Sequence, residues 1–186
     1  MDKSIKFETE RFVLRKFQSG DAKNMFDNYA SKDVVTKYLS WKLHGSVEDT
    51  EGFLNNVVLP DYNNEYVYRW AIVWKETNEV IGCIDVVNMN GERTRAELGW
   101  VLSDEFWGRG IMPEAARLVI KYLFDEGFAR IQAFHNVENK KSGRVMQKVG
   151  MTLEATMKNY STDNDGNVID VDMYSITSVN DLKQYI

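Results

Sequence analysis

Apolar and polar positions alternate through RFVLRKF, Arg11 to Phe17, the period-two pattern of a half-buried strand. Ser19, Gly20 and Asp21 then supply helix-start residues, which predicts a helix over roughly 21–30. In SVEDTEGFLNNVV, Ser46 stands three residues before Asp49, close to a capping box, ahead of Phe53, Leu54 and Val57 at helical spacing. That predicts a second helix. Two apolar runs flank the polar KETNE between Trp70 and Val87, which reads as a β-hairpin, and AELGWVL (Ala96 to Leu102) adds a third strand to the meander.

Beyond Leu102 the period changes. Ala115, Leu118, Val119, Tyr122 and Leu123 recur at helical spacing until Gly127 offers a stop, and RIQAF (Arg130 to Phe134) returns to a strand. A helix between those strands is a crossover, so they should run parallel. Ser142, Val145, Met146 and Val149 mark a shorter helix ending at Gly150, and MTLEATMKNYS and VIDVDMYSI form a strand pair around TDNDGN. Asp163, Asp165, Gly166 and Asp172 lie near calcium-loop positions. However, the first ligand would be Ser161, the last is a short Asp, and the flanks are strand-like, so the segment is read as an Asp165-Gly166 hairpin turn.

Composition narrows the class. A chain of 186 residues, 44% apolar and 27% charged, is expected to form one soluble domain, residues 1–186. Lys plus Arg total 23 against 28 Asp plus Glu, a net charge of −5, which argues against broad nucleic-acid binding and favours a basic amine as partner. Cys83 has no second cysteine to pair with, no apolar run reaches a membrane span, and MDKSIKFETE lacks the apolar core of a signal peptide. A reducing, cytoplasmic setting follows, with no membrane. His44 and His135 lie far apart and no Cys or His pair has ligand spacing, so no metal is expected.

Chemistry concentrates in FWGRGIMPEA, Phe106 to Ala115. A helix N-terminus carries unpaired N–H groups and partial positive charge. Gly108 and Gly110 permit close approach or positive φ, Arg109 adds charge, and Pro113 costs little in a first turn. The stretch is suited to phosphate oxygens, although glycine pairs before helices also serve as plain turns. It has neither the Lys-Ser/Thr end of a P-loop nor the third glycine of a dinucleotide fingerprint.

The segment Ala96 to Met151 resembles the acetyl-CoA-binding core of the GNAT superfamily of N-acetyltransferases, most closely the branch with ribosomal-protein alanine N-acetyltransferases. The resemblance extends from about Arg11 to Ile176. It implies an α+β, three-layer α/β/α fold in which two parallel strands of a mixed central sheet splay around the coenzyme.

The family's Gln/Arg-x-x-Gly-x-Gly/Ala loop, whose amides cradle the pyrophosphate, maps onto Trp107, Gly108, Arg109, Gly110, Ile111 and Met112. Trp107 replaces Gln or Arg, Met112 replaces the small residue, and Pro113 removes the next N–H. The resemblance further implies that Asn139 contacts pantetheine and that Ser142 sits near the thioester sulfur or the phosphates. Backbone at Val101 and Leu102 would pair with pantetheine, and an amide near Val101 would polarise the carbonyl. Asn139 is also suited to capping its helix.

The resemblance implies direct attack by the amine within a ternary complex, and acetyl transfer from a thioester requires an uncharged amine, a positioned carbonyl and a donor where negative charge grows. Glu97, a carboxylate inside an apolar strand, is the expected base, with a solvent-facing partnership to Arg93 or Arg95 as its alternative. Ser142 is expected to assist the departing thiolate, with Tyr160 and Tyr174 as weaker candidates. Cys83 reads as a packing residue. Trp41 and Trp70 are candidates for an acceptor groove. The acceptor is expected to be a protein N-terminus, with a small-molecule amine (polyamine, amino acid or antibiotic) or an inactive coenzyme A-binding module as alternatives. A homodimer stays open.

Overall fold

The computed structural model describes residues 5–183; residues 1–4, within the segment assessed for a signal peptide, and residues 184–186 lie outside it. The chain divides into two compact units, Met1–Lys37 with Lys42–Asp85 and Trp100–Arg109, and Tyr38–Trp41 with Val86–Gly99 and Gly110–Ile186.

The first unit contains β1 (Phe7–Glu8) and β2 (Phe12–Arg15), paired antiparallel. Next come α1 (Ala22–Met25), continuing as a π turn over Phe26–Ala30, and a short α2 (Asp33–Thr36). Helix α3 (Val47–Phe53) starts at Ser46, whose hydroxyl accepts from the Asp49 amide at 3.2 Å. The Asp49 carboxylate turns back to Gly45 N–H at 3.1 Å, one residue short of a full capping box. A second π turn, Leu54–Val58, leads into α4 (Leu59–Asp61).

The predicted hairpin is β3 (Arg69–Trp74) and β4 (Glu79–Met89), antiparallel, with β2 on the outer side of β3. Phe12, Leu14, Trp70, Ile72, Ile81 and Ile84 supply a core with no exposure, and burial at this scale provides ~1.5–3 kcal/mol for each large side chain. Asn28 Nδ2 donates to the Val80 carbonyl at 2.9 Å and fastens the α1 extension to β4.

In the second unit β5 (Arg95–Leu102, which ends in the first unit) leads into α5 (Ile111–Asp125), then β6 (Arg130–Asn136), α6 (Lys140–Val149), β7 (Thr152–Thr162) and β8 (Val168–Ile176). The crossover gives a parallel β5–β6 pair, as its length requires. Strand β8 lies between β6 and β7 and is antiparallel to both. The β7–β8 turn follows the hairpin reading: Gly166 sits at φ +85°, and Asp163 Oδ1 accepts from the Asp165 and Asn167 amides at 3.0 and 2.8 Å. Among the described residues no cluster of His, Cys, Asp or Glu is placed to hold a metal, and no helix is long and apolar enough to cross a membrane.

Candidate active site

The glycine loop begins where β5 stops. After Leu102 a single 3₁₀ turn (Asp104–Phe106) brings Trp107 back over the strand end, and its indole N–H donates to the Leu102 carbonyl at 2.8 Å. Arg11 Nη1 reaches the Arg109 carbonyl at 2.8 Å and pins the far side. Lys32 Nζ holds Asp104 at 3.0 Å and Glu105 at 2.9 Å. The Arg109 guanidinium lies 5.1 Å from the centre of the Phe106 ring, and Phe106 meets Trp74 edge-on.

Gly108 and Gly110 both adopt the left-handed region, φ +76° and +75°. Nothing lies within 4 Å of a Cβ built on Gly108, so its requirement is conformational rather than spatial. Gly110 caps α5, and Glu114 N–H is the first helix amide with a backbone partner, the Gly110 carbonyl at 3.2 Å. Among the described residues nothing accepts a hydrogen bond from the amides of Gly108, Arg109, Gly110, Ile111 or Met112. Five successive donors at the positive end of a 15-residue helix suit a diphosphate.

Val101 and Leu102 are buried, 7% and 8% exposed. A Cβ on Gly82 would lie 2.4 Å from the Val101 carbonyl oxygen and 3.0 Å from the Leu102 Cα, so only glycine lets β4 come this close. The Leu102 carbonyl accepts from the Trp107 indole, which occupies one of its two acceptor positions. Cys83 is half-buried, and burial, followed by the Asp85 carboxylate, pushes its thiol far above the ordinary range. A neutral thiol there is a packing group, as its place in the hairpin implies.

The parallel register of β5 and β6 covers Arg95↔Arg130, Ala96↔Ile131 and Glu97↔Gln132, and β6 beyond it pairs with β8 as far as Asn136. Glu97 stands at the last paired position. It is buried, 7% exposed, and Oε2 accepts from Gln132 Nε2 at 2.7 Å. The solvent-facing alternative is thereby corrected: Arg93 pairs with Glu126 at 3.4 Å and covers the Phe128 ring. Gln132, 35 residues away in sequence, and Arg11 are site residues that the sequence reading missed; no local spacing points to either.

At α6 the capping reading holds: Asn139 Oδ1 accepts from Ser142 N–H at 3.3 Å. Ser142 is half-buried on the first turn. Gly143 behind it faces His135, whose Nδ1 lies 2.7 Å from the Asn136 carbonyl and therefore carries the proton. Tyr174 is buried, with Gln147 Nε2 donating to its hydroxyl at 3.1 Å, whereas Tyr160 is exposed with its ring against Phe134. Trp41 is half-buried. Trp70 is a correction: it has no exposure, packs on Phe7 and donates its indole N–H to the Ile5 carbonyl at 2.8 Å, so it lines no groove. Strand β3 is buried on both faces, from Trp70 through Val73, so neither side of it opens on a groove.

The acetyltransferase (GNAT) domain model matches residues 11–152, from the start of β2 into β7. The chain belongs to the GNAT family. It is an acetyl-CoA-dependent N-acetyltransferase by that membership. It is 31% identical over 170 residues to the uncharacterized N-acetyltransferase YoaA of Bacillus subtilis, covering 91% of this chain and 94% of that one. The ribosomal protein uS5 alanine N-acetyltransferase of Escherichia coli is 24% identical over 169 residues, covering 84% of this chain and 82% of its own. A solved GNAT acetyltransferase from Bacillus anthracis superposes with a TM-score of 0.79 at 28% identity, covering 93% of this chain and 98% of that one.

Proposed function

We propose that this GNAT chain acts as one catalytic domain that moves the acetyl group of acetyl-CoA directly onto a protein N-terminal α-amine, such as that of a ribosomal protein. The observation that carries the coenzyme assignment is the row of five amides from Gly108 to Met112 with no acceptor among the described residues. Unpaired donors at a helix start bind anions without further cationic groups. The coenzyme supplies an activated acetyl group; the remaining work falls to side chains and backbone of this chain.

A backbone amide near Val101 is assigned to the thioester carbonyl, the Val101 backbone itself being hydrogen-bonded to Cys83, and Asn139 Nδ2, left over once its oxygen caps α6, is assigned to pantetheine. Glu97, oriented by Gln132, takes the proton released from the amine, and Ser142 donates toward the departing sulfur. An α-amine has an ordinary pKa of about 7.7–8.0 and is partly neutral near pH 7.5, whereas a lysine amine at about 10.4 is not. A single buried carboxylate is enough for the former. The relative active on uS5 supports a ribosomal N-terminus as acceptor, and Trp41 is assigned to the acceptor side.

Thiol release from acetyl-CoA, measured over a panel of N-terminal peptides and a panel of polyamines, amino acids and aminoglycosides, tests this. Turnover on peptides is expected. Turnover on small amines alone would replace the acceptor, and no turnover by folded protein on either panel would remove catalysis. Gly110→Asp, which sets a negative charge among the five amides, should weaken acetyl-CoA binding at least tenfold.

A further inference from the structure

We infer that Arg130 is a positioning residue for the transfer, acting through Gln132: its Nε–H fixes the amide so that Nε2, and never Oε1, meets the Glu97 carboxylate. Register brings the three together within the second unit. Glu97 and Gln132 are partners in the parallel β5–β6 pair, and Arg130, two residues before Gln132, projects from the same face of β6.

An arginine side chain only donates, so the Gln132 oxygen must be the atom that accepts from Arg130 Nε at 3.0 Å. The nitrogen is then left to donate to Glu97 Oε2 at 2.7 Å. Glu97 and Gln132 are 7% and 4% exposed, and a reversed amide would set two acceptors against each other in that buried place, which costs about 1–3 kcal/mol. Nothing in glutamine itself chooses between the two orientations; Arg130 does.

The arginine is in turn held from two strands. Both its terminal nitrogens donate to Glu154 of β7, Nη1 to Oε1 at 2.8 Å, and the Ser175 hydroxyl donates to the same oxygen at 2.6 Å. Ser175 lies directly across from Gln132 on β8 and is itself buried. A row of polar side chains thus crosses β5, β6, β8 and β7, from the buried carboxylate to an ion pair whose side chains are 30% and 41% exposed. Among the described residues no group donates to Glu97 Oε1. One oxygen is held and the other is left for the proton.

This inference rests on Glu97 as the base and can fail separately from it. Arg130→Lys keeps a charge opposite Glu154 but has no donor at the Nε position. In the coenzyme-free chain, the NMR signals of the Gln132 side-chain NH2, assigned by their loss in Gln132→Leu, should lose in Arg130→Lys the downfield shift that a carboxylate acceptor imposes. A hydrogen bond to the charged form favours that form, so on a peptide with N-terminal alanine the acidic limb of kcat/KM should move up by about one pH unit in Arg130→Lys and in Gln132→Leu. The acetyl-CoA KM should stay within about twofold of wild type, since neither side chain is assigned to the coenzyme. Thermal midpoints certify both folds. An Arg130→Lys chain with the wild-type amide signals and acidic limb would overturn the positioning role and leave the arginine to the fold. Glu97→Gln with the wild-type rate and acidic limb would instead overturn the base reading. The amide signals need no acceptor, so without transfer to any peptide they alone decide whether Arg130 sets the Gln132 orientation.

Discussion

Trp107 and Leu102 are joined by one hydrogen bond, indole N–H to backbone carbonyl at 2.8 Å, which ties the exit of β5 to the entry of the glycine loop. This tryptophan occupies the position where the family pattern has Gln or Arg. Its hydrogen bond explains what the replacement does: the loop is fixed by a side chain donating inward, while the amides after it stay available.

Trp107→Phe keeps the ring and removes that donor. The loss of one partly buried hydrogen bond costs about 1 kcal/mol. If the bond holds the loop in register, the cost falls on coenzyme binding, and the acetyl-CoA Kd should rise about fivefold with the thermal midpoint nearly unchanged. A lowered midpoint with the same Kd would mean that Trp107 supports the fold and not the loop.

Gly108 offers a test of conformation without crowding. A methyl group there meets nothing within 4 Å, so Gly108→Ala is opposed only by φ +76°, about 1–2 kcal/mol. Asn tolerates this region better than Ala. Urea unfolding should therefore rank wild type above Gly108→Asn above Gly108→Ala. Equal stability of all three would show that the loop is not held in that conformation in solution.

The local reading of the chain succeeded where one residue's neighbours lie close in sequence. The hairpin around KETNE, the crossover helix stopped at Gly127, the cap at Asn139 and the turn at Gly166 all rest on spacings of a few residues. The π turns over Phe26–Ala30 and Leu54–Val58 escaped because no residue type in either stretch marks where i→i+5 bonding replaces i→i+4. That β8, not β7, joins β6 was equally hidden, since either strand of a hairpin can take the inner place. The site divides the same way. Its glycine loop is contiguous, but Gln132 on Glu97 and Arg11 on Arg109 are long-range pairs, and Trp70 is buried because tertiary packing covers both faces of β3.

Acid titration should expose the Arg130–Glu154–Ser175 group. Arg130 Nη1 donates to Glu154 Oε1 at 2.8 Å and the Ser175 hydroxyl donates to the same oxygen at 2.6 Å. The Arg130 hydrogen bond, then that of Ser175, lowers the Glu154 pKa from 4.5 to about 2. The folded value lies below the unfolded one, so the group's stabilisation is full above pH 4.5 and disappears as the pH falls toward 2. The stability difference between wild type and Glu154→Gln should shrink over that window. A difference that is constant from pH 6 to 2.5 would place the effect in packing.

Gly143 sets two opposing effects against each other. A Cβ there would lie 2.6 Å from His135 Nε2, closer than real Cβ contacts, and a tight 3.1 Å from Cε1, and the imidazole is buried and held through Nδ1 by the Asn136 carbonyl. Overpacking of this kind costs about 1–3 kcal/mol. Replacing a helix-interior glycine by alanine gains about 1 kcal/mol from backbone propensity. With His135 present the clash outweighs the gain, so Gly143→Ala should destabilise the protein. Because Gly143 follows Ser142 on the first turns of α6, it should also raise the acetyl-CoA KM. In a His135→Ala background the obstacle is gone and the same substitution should be stabilising. Denaturant unfolding of the four proteins reads the change of sign directly. Destabilisation by the same amount in both backgrounds would show that α6 is limited by something other than the histidine behind it.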